Sequence, residues 1–415
     1  MKIYSKTRYV VVAVLGMLFL AKGYVEGQGM TDSQRLGANC NIICAASDTP
    51  DELKACATFV CGEVDARPIL QKAIDEASRL RVKCILLKGT YCINSRGENN
   101  PCGGVVFYSH SPKRGGYAHN QGCFQTLEGS VEPLGWLDGA VITMGEDLYD
   151  SISDDETFSM FYADGGSLFS RAWSISNLAV RLPGNQKPIV VFDGRFCSAL
   201  SYRNLWISSV DPQSFDFASA KGIPVPHPRS VALRGTAGSN FYCRNEWKNC
   251  SVIGFGIGFD IGGEHVYCES LAALYNIYGF AFNCYKGKNR ITDGDDLKSG
   301  PWGCFYPITC LNLLDEHNVN LPRFGNAGWP SHCQPITIKG MNIQWPNTCP
   351  GKTDCTAPDF LEGRCRATED KPGSWHGSIE YLMDSPDKNH ATHLVDLPFF
   401  EAGHGIRIHA ANLMF

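Results

Sequence analysis

The sequence predicts an all-β chain, a single-stranded parallel β-helix with an N-terminal capping helix and disulfide-rich loops. Three observations predict it. One strongly amphipathic helix lies near residue 70 and leads directly into a strand. An Asn-led motif then recurs through the middle of the chain. Between residues 170 and 285 there is almost no helical periodicity, while 43 glycines, 22 prolines and only 19% charged residues fill the 415-residue chain.

The helix is the first element to justify. From Asp65 onward, Ile69, Leu70, Ala73, Ile74, Ala77 and Leu80 fall on one face at helical spacing. Asp65 is suited to an N-cap, and Pro68 lies in the first turn, where its missing N–H costs little. The run Cys84-Ile-Leu-Leu follows as a strand, turns at Lys88-Gly89-Thr90 and resumes at Tyr91-Cys92-Ile93.

The repeat comes next. Asn177-Leu-Ala-Val, Asn204-Leu-Trp-Ile, Asn249-Cys-Ser-Val and Asn342-Ile-Gln-Trp share one shape, and Asn276-Ile-Tyr-Gly is a degenerate copy. Asn tolerates the left-handed conformation at a tight bend, and the short strand after it alternates inward and outward. Stacked Asn side chains can hydrogen-bond to one another along such a solenoid. Gly256-Ile-Gly-Phe-Asp260 and Gly279-Phe-Ala-Phe-Asn283 add a second register at a spacing of 23. A β-sandwich needs hairpins at shorter spacing, and a doubly wound fold needs helices between strands.

The helix–strand pairing from Asp65 to Ile93 resembles the opening of the pectate-lyase-like superfamily, which includes rhamnogalacturonases and sugar epimerases. The resemblance implies a right-handed parallel β-helix with the helix laid across its open end. It also implies an extended polysaccharide as ligand, and a choice between lyase and glycoside hydrolase chemistry.

The first residues read as an export signal. Lys2, Lys6 and Arg8 precede a 13-residue apolar run, Tyr9 to Ala21. Cleavage is expected before Tyr24, with a site after Gly27 nearly as suitable. Thirteen residues are short for a membrane anchor, and no later apolar run is long enough for a membrane span. The domain expectation is a signal peptide at 1–23, a small stapled helical cap at 24–64, and the solenoid at 65–415, with a Cys-rich loop region at about 286–375. Losing Lys2, Lys6, Arg8 and Lys22 moves the formal net charge from −5 to −9. That balance argues against nucleic acid or an anionic membrane as partner.

In an exported chain, 19 cysteines predict disulfides, and the odd number leaves at least one thiol over. No Cys-x-x-Cys occurs, which argues against structural zinc. Within residues 40–61, Asp51 to Cys61 reads as helical. A second, antiparallel helix would then pair Cys40 with Cys61 and Cys44 with Cys56, one of three connectivities.

Enzymes of this fold place acids or bases on adjacent coils, so charged residues clustered within one repeat are the natural candidates. Arg244, Glu246, Asp260, Glu264, His265 and Glu269 stand among apolar and glycine positions. The expected catalytic set is Asp260 with Glu264 or Glu269 along a groove, and Arg244 on a substrate carboxylate. Solvent-facing charges are the plain alternative. Ca2+ would be the cofactor if the protein is a lyase. Thr292-Asp293-Gly294 and Gly403-His404-Gly405 are similar to elements of polygalacturonase-type hydrolases. Ile291, the 111 residues between Asp293 and His404, and the missing Arg-Ile-Lys element depart from that pattern, so Asp293 to Asp296 also fit an exposed turn. His390 and His393 stand at i, i+3 without a third metal ligand nearby. Trp206, Trp247, Trp302 and Trp345 are candidate stacking platforms for sugar rings. The sequon Asn249-Cys250-Ser251 is expected to carry no glycan, because the repeat places Asn249 at a bend. Together these readings imply a secreted protein acting on an extended polysaccharide. The alternative is a non-catalytic extracellular binding or surface-structural protein on the same scaffold.

Overall fold

The structure is a computed structural model. It describes residues 41–98, 102–107, 123–163, 171–195, 197, 199–210, 224–235, 245–262, 265–282, 308–316 and 318, with the backbone of shorter strands beyond. The chain opens with β1 (Ile42–Ala45), a single helical turn α1 (Asp51–Lys54), β2 (Phe59–Val60) and the helix α2 (Arg67–Leu80). Next come β3 (Cys84–Leu86), β4 (Gly89–Ile93), β5 (Gly103–Phe107), β6 (Cys123–Gly129), β7 (Ala140–Met144), the short helix α3 (Glu146–Asp150) and β8 (Phe158–Ala163). The strands that follow are β9 (Arg171–Arg181), β10 (Ile189–Asp193), β11 (Ala199–Ser208), β12 (Val231–Arg234), β13 (Asn245–Ile253) and β14 (Ile257–Ile261). After them come β15 (Val266–Leu274), β16 (Tyr278–Phe282), β17 (Ile308–Glu316), β18 (Arg323–Asn326) and β19 (Ile336–Gln344).

Two long sheets result. Sheet A runs β2-β1-β3-β6-β9-β11-β13-β15-β17-β19, and sheet B runs β5-β8-β10-β12-β14-β16-β18. From β8 onward the chain alternates between the sheets, and each strand pairs in parallel with the one before it in the same sheet. The described residues are therefore mostly β, in parallel sheets, with no closed barrel among them.

Helix α2 forms where the apolar spacing places it. Leu70, Ala73, Ile74 and Ala77 are buried, while Ile69 and Leu80 are partly buried against the same core. Asp65 stands one residue before the N-cap position, which Ala66 holds. Its Oδ1 accepts the Arg67 backbone N–H at 3.1 Å and that of Asn94 at 3.0 Å. Arg81 ends the helix in the left-handed region at φ 58°. The helix lies against β1, β5 and β6 at the start of the two sheets.

Residues 40–61 differ from the antiparallel helix pair the cysteine spacing predicts. Only Asp51–Lys54 is helical, while Ile42–Ala45 and Phe59–Val60 are parallel strands that extend sheet A. Ile42, Ile43, Thr58, Phe59 and Val60 are β-branched or aromatic, and β3 offers them an open ladder to join. No disulfide joins two described cysteines.

The bends follow the Asn logic with a different membership. Asn177, Asn204, Asn249, Ser270 and Asn312 all adopt φ between 52° and 58°, and strand register aligns them in one column. Asn204 Nδ2 donates to Asn177 Oδ1 at 2.9 Å, and Asn249 Nδ2 donates to Asn204 Oδ1 at 3.2 Å. Asn342 is not in the column: the β17–β19 register places Gly340 opposite Asn312. Asn276 belongs to a second, buried ladder, where its backbone N–H and its Nδ2 both donate to Asn318 Oδ1. Asn249 is exposed rather than enclosed, and its amide nitrogen, the atom a glycan would take, is engaged with Asn204. The glycine repeat also shifts. Phe259 pairs with Phe280, so the true offset is 21, and the Gly256–Gly279 match at 23 is coincidental.

The core between the sheets is an aromatic chain. Phe107, Trp173, Tyr202 and Trp247 meet edge to face in sequence, with ring centroids 5.0, 6.1 and 4.9 Å apart. Phe259 and Phe280 stack at 5.1 Å. Each such ring contributes roughly 1.5–3 kcal/mol by leaving water. Trp247 is fully buried, so it is a core residue and not a stacking platform.

Candidate functional site

Along sheet A, buried and solvent-side positions alternate up to each bend. Tyr202, Trp247, Cys268 and Cys310 are buried, and the residues flanking them are half-buried or exposed. Strand register gathers these flanking residues into two rows. The first is Ser174, Ser201, Glu246, Tyr267 and Thr309; the second is Glu128, Ser176, Arg203, Lys248, Glu269 and Leu311. Neighbours in a row stand about 4.8 Å apart, the spacing of adjacent strands.

The charges in this strip pair across strands. Arg203 Nη2 bridges to Glu246 Oε2, Lys248 Nζ lies 2.8 Å from Glu269 Oε2, and the Tyr267 hydroxyl donates to the same oxygen at 3.2 Å. Lys83 Nζ meets Glu128 Oε2 at 2.9 Å farther along. The hydrogen bond from Lys248 holds the Glu269 carboxyl below its usual range, helped by Tyr267 and opposed by loss of solvent. The same contact with Glu269 raises Lys248. Loss of solvent, then the bond to Glu269, raises the Tyr267 phenol. Glu269 is thus an ionised acceptor, and Lys248 is a charged donor.

Of the sequence-predicted set, Glu269 lies in this strip and Asp260 does not. Asp260 sits on β14 in sheet B, 3% exposed. There Asp193, Arg234 and Asp260 occupy one register position on consecutive strands. Arg234 Nε lies 3.3 Å from Asp260 Oδ2, and its Nη1 lies 3.5 Å from Asp193 Oδ2. Arg195 Nη2 approaches Asp193 at 2.7 Å, and Ser159 Oγ donates to Asp193 at 2.8 Å. Burial alone would raise Asp193, but Arg195 and Arg234 outweigh it and hold the carboxyl at about 2. Asp260 is therefore part of a buried ionic ladder on the other sheet from Glu269. Arg244 and Glu264 lie outside the described residues, as do Asp293, His390, His393, His404, Trp302 and Trp345.

Arg203, Lys248 and Tyr267 are strip residues that the sequence reading missed. A signal for two of them was present: Arg203, Lys248 and Glu269 each immediately precede a bend residue, so the Asn column already set their common register. Trp206 follows the bend on β11, half-buried, with its ring edge-on to Trp136 at 4.8 Å.

No group of three His, Cys, Asp or Glu side chains among the described residues is placed to hold a metal ion. The strip does not fit Ca2+, which takes six to eight oxygens, because Glu246 and Glu269 each already face a cation. No described helix is long and apolar enough to cross a membrane. Comparisons of the chain with protein-family models, with curated proteins and with solved structures find no match.

Proposed function

We propose that the chain winds as a right-handed parallel β-helix, similar to the pectate-lyase-like superfamily, and that it is exported and binds an extended polysaccharide along the outer face of sheet A. The observation that carries this reading is the strip itself. Hydroxyls, carboxylates, a guanidinium, an ammonium and a phenol repeat at strand spacing on consecutive strands from β9 to β17. A ligand with its own short repeat can meet such a row in successive registers. The regular alternation of the chain between two parallel sheets supports the solenoid.

The strip supports recognition more strongly than turnover. A general acid needs a raised carboxyl, and Glu269 is lowered; a lyase base needs a lowered Lys, and Lys248 is raised. Turnover is the second reading, and one observation favours it. Glu246 and Glu269 lie diagonally on adjacent strands, one strand and two residues apart. Their backbones stand about 8 Å apart on the same face, so the two side chains leave neighbouring strands side by side.

The test is a panel of pectins, alginates, glycosaminoglycans and neutral glycans. It is scored for reducing ends, for unsaturated-uronate absorbance and for retention of the protein on the insoluble polymer. Retention without product supports binding. Product that disappears in Glu269→Gln supports turnover. Neither retention nor product on any polymer removes the polysaccharide reading.

A further inference from the structure

We propose that Cys44 and Cys61 form a disulfide that fastens the first strand of sheet A to the segment leading into helix α2. Their sulfurs stand 3.5 Å apart, and both residues are buried, at 0% and 3% exposure. Cys44 lies on β1, and Cys61 directly follows β2, its parallel neighbour. The backbone there is already fixed on both sides. Cys61 N–H donates to Ala45 O at 2.8 Å, and the Tyr91 hydroxyl donates to Cys44 O at 2.8 Å. The Cys61 sulfur also reaches Ala66 O, at the entry to the helix, at 3.8 Å. Bond formation brings the sulfurs about 1.5 Å closer, to the roughly 2.05 Å of a disulfide.

This pairing differs from both pairings that sequence spacing predicts. Those rest on two facing helices, whereas the parallel strands set Cys61 two residues past the register partner of Cys44, and the two sulfurs meet across this diagonal. The third thiol nearby, Cys84, is buried at a register position opposite Ile42, one turn of the pleat away from Cys44.

The chemistry balances as thiol–disulfide exchange. One thiolate attacks the disulfide of an oxidant, either a thiol oxidase or oxidised glutathione, and releases one thiol of that oxidant. The second thiolate then displaces the other. The protein loses two protons and two electrons, and the oxidant's disulfide becomes two thiols. The hydrogen bond from Cys61 and burial hold the Cys44 thiol up, so Cys44 offers little thiolate in the folded state. The bond therefore forms while the segment is still open, and it is shielded once α2 has docked.

The experiment uses the full chain, expressed with export to an oxidising compartment. The protein is denatured and alkylated without reductant, digested and mapped by mass. A linked peptide pair containing Cys44 and Cys61 is expected, lighter by two hydrogens than its thiol forms. Alkyl label on both residues as the main species overturns the proposal, as does either sulfur joined to Cys40, Cys56 or Cys84. Dithiothreitol added to the native protein is expected to leave the bond intact for far longer than in guanidinium. Equal rates in the two conditions overturn the shielded placement.

Discussion

Asp315 and Asp193 are the same side chain pushed in opposite directions by their surroundings. Asp315 shares its register position with Ala273 and is buried, and its Oδ1 accepts a hydrogen bond from Asn318 Nδ2. Loss of solvent raises it to about 8, and the Asn318 bond only partly offsets this. The folded chain thus keeps a proton that the unfolded chain releases near 3.8. Stability is expected to fall as pH rises from about 4 to about 8. Asp315→Asn should flatten that slope, read as Tm against pH. Asp193 behaves oppositely. Its folded value near 2 means that its stabilising contribution is complete above about 4 and is lost as pH falls toward 2. Asp193→Asn leaves Arg195 and Arg234 short of a buried counter-charge and should cost about 3 kcal/mol, measured by denaturant unfolding. Neither role was legible in the sequence. An isolated Asp in an apolar run carries no sign of whether an Arg one strand away will neutralise it, or only an amide three residues on will meet it.

Elements were legible where local chemistry decided them. The apolar face of α2 needed only its spacing, and the column at Asn177, Asn204 and Asn249 needed only the tolerance of Asn for the left-handed region. The misses came where pairing decided. Ser270 replaces Asn in the column and keeps its left-handed φ, and strand register, not residue type, puts Gly340 rather than Asn342 opposite Asn312. Asp51 to Cys61 carries helical spacing in its cysteines, yet Phe59 and Val60 gain more from joining β1. Asn204 tests the bend. It holds φ 52° and exchanges side-chain hydrogen bonds with both Asn177 and Asn249. Asn204→Ala should cost about 2–3 kcal/mol, roughly 1 from the backbone and the remainder from the two bonds. Asn204→Gly keeps the backbone freedom and should cost about half as much, by the same unfolding measurement.

On the scale of the whole molecule, the strip on sheet A was half visible. Glu246 and Glu269 stood out as charges, but the sequence reading joined Glu269 to Asp260, which the alternation between sheets sends to sheet B. In the proposed complex, charges that cancel in pairs leave hydrogen bonding as the main attraction. Retention on the polymer should therefore change by less than about twofold between 0.05 and 0.5 M salt, whereas a counterion-driven contact would lose far more. Arg203→Ala combined with Lys248→Ala removes two donors and should weaken retention about tenfold, measured by depletion from solution over the insoluble glycan.

The alternating signs of Asp193, Arg234 and Asp260 also bear on strand order. A chain that skipped β12 would lay Asp193 directly beside Asp260 in a buried position, with Arg195 the one cation left among the described residues to offset both carboxylates. Omission of that strand is therefore penalised by repulsion, whereas a purely aliphatic sheet would accept the shortened order almost unchanged.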